Sequence, residues 1–196
     1  MKTSTVGLKN ISVISFLLIL FLTSLSVHAT TYRGTLRKVT HLRELYNATT
    51  MQAKVVWHAT YFSPKFQQAF LKKHIHRKYL NPEEAAEFTA HEERRWAASE
   101  EFFVSLYAPK AYANFTKGSD SFWEIILVTQ DGKEHKATFV EYLESTPYEK
   151  VMFPYLDLWS KAYRVLFPKV NLHDDFKLVL RSVVGKSEMK WSYNVQ

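Results

Sequence analysis

Trp96-Ala97-Ala98-Ser99-Glu100-Glu101-Phe102-Phe103-Val104-Ser105-Leu106-Tyr107 is the stretch in which the chain changes its repeat. On the near side of Ser99 the apolar residues recur every three or four positions, as one face of a helix requires. On the far side, Phe102, Val104 and Leu106 alternate with Phe103, Ser105 and Tyr107, the period of two that a strand imposes.

Working back from this switch, two helix starts are written in the sequence. Ser63-Pro64 offers a cap followed by a proline in the first turn. Asn81-Pro82-Glu83-Glu84 does the same and adds acids where the helix dipole favours them. Phe66, Ala69, Phe70, Leu71, Ile75 and Tyr79 mark the first helix, and Ala85, Phe88 and Trp96 the second. Leu80-Asn81 joins them, so residues 64–98 predict a helical hairpin. Ala53–Phe62 (AKVVWHATYF) precedes it, rich in β-branched and aromatic residues, and reads as a buried strand. Thr31–Tyr46 fits a helix through Leu36, Val39, Leu42 and Tyr46. Thr35–Thr40 fits an extended segment equally well.

Working forward, Phe122–Thr129 (FWEIILVT) is the most apolar strand. Asp131-Gly132 is a hairpin turn signal, with Glu134–Leu143 as the return strand. Tyr163, Val165 and Phe167 mark another strand, Phe176, Leu178 and Leu180 the next, and Met189, Trp191 and Tyr193 the last. About seven short strands with regular turns predict an α+β, mainly β fold. The expected architecture is an antiparallel, immunoglobulin-like β-sandwich into which the helical hairpin is inserted.

The N-terminus reads as an export signal. Lys2 and Lys9 give a positive start, Ile11–Ser26 is an uncharged apolar run, and Val27-His28-Ala29 is a small-residue cleavage site. A spanning helix wants about 20 apolar residues, and this run is shorter. Residues 1–29 are therefore expected to be a cleaved signal peptide and 30–196 one globular domain, periplasmic or secreted, with no integral membrane span after cleavage. The chain carries a formal charge of +7, which falls to +5 without Lys2 and Lys9. Its bases are scattered pairs among acids rather than one basic face, so nucleic acid is not an expected partner. There is no cysteine, which removes disulfides, thiol nucleophiles and Cys-ligated zinc from consideration.

The segments FFVSLYAP (102–109), FWEIIL (122–127), FPYLDLWSKAYRVLFP (153–168) and FKLVLRSVVGKSEMKW (176–191) resemble exported bacterial proteins built on domains of unknown function. The resemblance implies a bacterial envelope location and carries no functional residue with it.

Catalytic patterns are scarce. His91-Glu92-Glu93-Arg94-Arg95 begins like a zincin helix, but Arg95 stands where the second histidine is needed. His74 and His76 are two apart, on opposite sides of a helix. His74 and His91 could face each other across an antiparallel hairpin. His58 lies in mid-strand without an evident acid or nucleophile. No Gly-x-Ser-x-Gly, Ser-x-x-Lys or Gly-rich phosphate loop is present, so neither cofactor nor metal is expected. Phe153-Pro154-Tyr155-Leu156-Asp157-Leu158-Trp159 fits no period. A loop carrying Tyr155, Asp157 and Trp159 offers flat apolar faces and an acceptor, the chemistry of a contact surface. The sequence thus points to a non-enzymatic exported protein with a binding or accessory and assembly role toward a protein or other partner in the cell envelope. The alternative is a periplasmic hydrolase whose site sequence does not reveal.

Overall fold

Thr31 opens the structure. Its hydroxyl accepts a hydrogen bond from the Gly34 amide (3.2 Å) and caps helix α1, Tyr32–Val39. Leu36 and Val39 go into the core from this helix. At Thr40 the backbone becomes extended and continues as strand β1, Thr40–Tyr46. The helical spacing therefore holds only as far as Val39: Thr35–Val39 is helical rather than extended, and Leu42 and Tyr46 lie on a strand rather than on the helix. The structure, a computed structural model, describes residues 31–112, 115, 121–170, 172 and 174–192. The expected signal segment 1–29 and Tyr193 lie outside the described residues.

Strand β2 (Ala53–Tyr61) pairs antiparallel with β1, Leu42 opposite His58 and Glu44 opposite Val56. Helix α2 (Pro64–Lys78) is capped by the Ser63 hydroxyl, and α3 (Pro82–Ala98) by a full capping box of Asn81 and Glu84. The helical hairpin stands where the caps placed it. Strand β3 (Ser99–Tyr107) follows at the change of period. It pairs with β2 on one side and with β7 (Lys161–Pro168) on the other.

The return strand after Asp131-Gly132 differs from the sequence reading. It breaks at Ala137-Thr138 into β5 (Glu134–Lys136) and β6 (Phe139–Leu143). β5 pairs with β4 (Glu124–Val128). The Thr138 amide instead donates to the Leu166 carbonyl (2.8 Å), which carries β6 to β7 and the other sheet. A short helix, α4 (Pro147–Met152), follows on a capping box of Thr146 and Glu149. With β8 (Phe176–Ser182) and β9 (Gly185–Trp191), the described residues form two antiparallel sheets. Their strand orders are β1-β2-β3-β7-β6 and β5-β4-β8-β9. The fold is α+β and mainly β.

Alternation assigns the two faces of the five-stranded sheet to two different cores. Val55, Trp57, Phe102, Val104, Tyr163 and Val165 face the second sheet and pack on Ile125, Leu127, Phe176, Leu178 and Trp191. Phe103 and Ala162 point the other way, into a core with Leu36, Phe66, Trp96, Met152 and Phe153 of the helices and the following loop. A charged joint reinforces this outer layer. The buried Glu101 carboxylate accepts from Arg95 Nε (2.9 Å), Trp96 Nε1 (2.7 Å) and Arg164 Nε (3.3 Å). Arg95 also donates to Glu92 (2.6 Å) and Arg164 to Glu141 (3.0 Å). A buried carboxylate with three donors is stable only while all are present. Replacing Glu101 by Ala takes one carboxylate partner from each of two guanidinium groups and leaves the buried Trp96 indole N–H without its acceptor, and should cost about 3–5 kcal/mol in denaturant unfolding. Glu124→Ala, which breaks the more exposed pair with Arg181, should cost about 0–1 kcal/mol.

Candidate functional site

The loop from Phe153 to Ser160 crosses the part of the outer face that the helices leave open. Its first half is fastened down. Phe153 stacks on Phe103 with ring centroids 3.6 Å apart. Tyr155 stacks on His58 (4.7 Å, 17° between planes), and its hydroxyl shares a hydrogen bond with Thr60 Oγ1 (2.6 Å). Burial pushes the Tyr155 phenol up, so it stays neutral. Leu156 is buried.

The second half turns outward. Asp157 Oδ1 accepts from the amides of Trp159 (2.8 Å) and Ser160 (2.6 Å), an Asx turn that fixes the backbone beneath the next two side chains. Leu158 is 82% exposed and Trp159 77% exposed. The other four tryptophans make the contrast. Trp57, Trp96, Trp123 and Trp191 are buried, and each indole N–H has an acceptor: Ser187 Oγ, Glu101, the Tyr112 carbonyl and the Val39 carbonyl.

Two clefts flank the loop along β2. One, about 400 Å³, is lined by Val56, Tyr107, Asp157 and Trp159. The other, about 510 Å³, lies between α1, β1 and the Pro154-Tyr155 segment, with His58 in its wall. Of the three expected contact residues, Asp157 and Trp159 share the first cleft, and Tyr155 presents its ring to the second. A larger cleft of about 620 Å³ lies away from this loop, beside the Asp131-Gly132 turn and Asp174-Asp175. Asp131 there is committed to the turn, accepting from Thr129 Oγ1 (2.5 Å) and the Lys133 amide (3.2 Å).

The histidines fall into different surroundings. The His74 ring stacks on Phe88 at 3.8 Å, and its Nδ1 is hydrogen-bonded to the Tyr148 hydroxyl. Burial, with help from Lys78, holds its pKa below the usual imidazole value. His91 is exposed and touches Glu92. No group of three or more potential metal ligands occurs among the described residues. His58 is held below its ordinary pKa by burial, partly opposed by Asp157 and Glu44. Across the ladder from His58 is Ser105. Its hydroxyl is buried, without a hydrogen-bond partner among the described residues. Serine catalysis needs a nucleophile bonded to its base and open to substrate, and this pair shows neither.

The chain matches no family model, no curated protein and no solved structure. Sequence reasoning located the loop but missed how it is fastened. The Asp-x-Trp-Ser spacing of an Asx turn was the available signal.

The Asp157 carboxyl generates a pH prediction. Partial burial raises its pKa, but the Ser160 and Trp159 hydrogen bonds and nearby His58 outweigh this and hold it below the ordinary 3.8. A depressed carboxylate stabilises the fold above its unfolded pKa, and that contribution is lost as pH falls through the folded value. The Trp159 and Ser160 amide resonances should therefore keep their Asp157 hydrogen-bonded positions from neutral pH downward, apart from a smaller step as nearby His58 gains its proton. Their main transition should have a midpoint below about 3.8, read by NMR titration.

Proposed function

We propose that this chain is a non-enzymatic binding or accessory protein of the bacterial envelope, exported through its N-terminal signal, that engages a protein partner through the Leu158-Trp159 loop. The observation that carries this reading is Trp159 itself. It is the one tryptophan of five left largely in solvent, on a backbone braced by Asp157 and Tyr155. Tyr and Trp dominate binding hot spots because they bring large apolar area at little conformational cost, and a rigid scaffold lowers the ordering cost of binding. The adjoining cleft lined by Val56 and Tyr107 would receive a partner side chain beside the indole. An immunoglobulin-like sandwich, the finer reading of the two-sheet core, suits such a role because it is a stiff frame for variable loops. Export is supported by the sequence of residues 1–29 and by the resemblance to exported bacterial proteins. No helix among the described residues is long and apolar enough to cross a membrane.

A serine-based form of the competing hydrolase reading would require Ser105 to reach both His58 and solvent, and its burial weighs against that form.

A photo-crosslinking residue at position 158, in cells that make the protein, tests the proposal. One discrete adduct is expected there, lost on Trp159→Ala and absent when the crosslinker replaces Val183, which is equally exposed on the β8–β9 turn. Trp159→Ala should change unfolding free energy by no more than about 0.5 kcal/mol. The same adducts at both positions, or an adduct indifferent to Trp159→Ala, would refute the assignment.

A further inference from the structure

The cleft between α1, β1 and Pro154-Tyr155 has a different chemistry from the Trp159 surface. Its walls are mainly apolar, formed by Leu36, Leu42, Pro154 and the Tyr155 ring, with Thr40, His41 and His58 among them. Its volume, about 510 Å³, falls within the range of about 300–1,000 Å³ typical of small-molecule sites. Leu42, on the edge strand, is left 42% exposed, so one apolar wall is open to an incoming chain.

Arg33 and Arg37 stand at the rim, four residues apart on the same face of α1. Neither has an ion pair or side-chain hydrogen bond among the described residues. The arginines set into the sheets and the hairpin joint are all engaged. Arg95, Arg164 and Arg181 hold carboxylates, and Arg43 donates to the carbonyls of Glu188 and Leu42. No Asp or Glu is among the residues lining the cleft. The two histidines in its wall, His41 and His58, are both held toward their neutral forms by burial. The result is a mainly apolar trough without an acid in its lining, bordered by two guanidinium groups that have no partner among the described residues.

We propose that this cleft binds a single-chain aliphatic carboxylate, its chain along Leu42, Pro154 and Tyr155 and its head group between Arg33 and Arg37. The planar guanidinium fork matches a carboxylate in a way an ammonium does not, and the alkyl chain removes the apolar wall from water. This assignment does not depend on the Trp159 surface, because it rests on a separate cleft and a separate set of side chains.

Calorimetric titration of the purified protein with sodium dodecanoate, below its micelle concentration, tests it. Dodecan-1-ol and dodecyltrimethylammonium serve as neutral and cationic controls of equal chain length. Dodecanoate should bind at least about tenfold more tightly than either, and should shift the amide resonances of Leu42 and His58. Arg33→Gln with Arg37→Gln should lower dodecanoate affinity about tenfold while leaving the melting temperature and the weak binding of the alcohol unchanged. Leu42→Glu, at an exposed position, should abolish binding by placing an acid in the trough. Trp159→Ala should leave dodecanoate binding intact, so loss of the partner-binding reading and loss of this one are told apart. Equal affinity for acid and alcohol, indifference to the arginine substitutions, or tighter binding to phosphatidylglycerol vesicles than to dodecanoate would each overturn the proposal. So would stronger binding of an acidic peptide than of dodecanoate.

Discussion

The Glu101 carboxylate lies buried inside the protein, and three side chains from two elements converge to make that tolerable. Arg95 and Trp96 reach it from the end of α3, and Arg164 from the neighbouring strand β7. Isolated, a carboxylate buried to this degree would protonate or drag water inward. Surrounded by two guanidinium groups and an indole N–H, it becomes a joint. The helical hairpin cannot shift along the sheet without leaving a charge unpaired. Apolar packing between the helices and Phe103 supplies attraction, but such packing is non-directional. The charged joint supplies the register.

The position of that joint decides where the surface is left open. With α2 and α3 fixed over the Glu101 end of β3, the helices do not cover the opposite end, at Val56 and Tyr107. The chain covers part of it with the Phe153–Ser160 loop, held by the Phe103–Phe153 stack and the Tyr155–Thr60 hydrogen bond. A loop spanning a sheet cannot seal it as a helix does. Clefts remain on both sides, and the outward-turned Leu158 and Trp159 are the residue of that incomplete closure. Four tryptophans serve stability, each with its N–H satisfied, whereas burial does not explain the fifth.

Much of this was legible in the sequence because the relevant signals are local. The hairpin was announced by Ser63-Pro64 and Asn81-Pro82-Glu83-Glu84, and the strand after it by the alternation from Phe102. What stayed hidden was non-local. Periodicity shows that Phe103 and Phe102 face opposite ways, but not that one meets helices and the other a second sheet. Glu134–Leu143 read as one strand because nothing in its composition says that Thr138 bonds to Leu166 in another sheet. Thr31–Tyr46 was ambiguous because helix and strand are both there, divided at Thr40. Helix α4 was readable from Thr146-Pro147-Tyr148-Glu149, a capping box with proline, and was missed for its shortness. Within the candidate site, Trp159 could be singled out by its aperiodic setting. The anchoring of Tyr155 on His58 and Thr60 joins residues almost a hundred positions apart, and no local pattern encodes it.

The account rests on Trp159 being exposed and held still at once, and NMR of the isotopically labelled protein measures both. The backbone amides of Trp159 and Ser160 should show order parameters near about 0.85, the value of rigid backbone. The Trp159 indole N–H should exchange with water quickly, while those of Trp57, Trp96, Trp123 and Trp191 are protected. Order parameters below about 0.6 for the loop, or a Trp159 indole as protected as the other four, would contradict it.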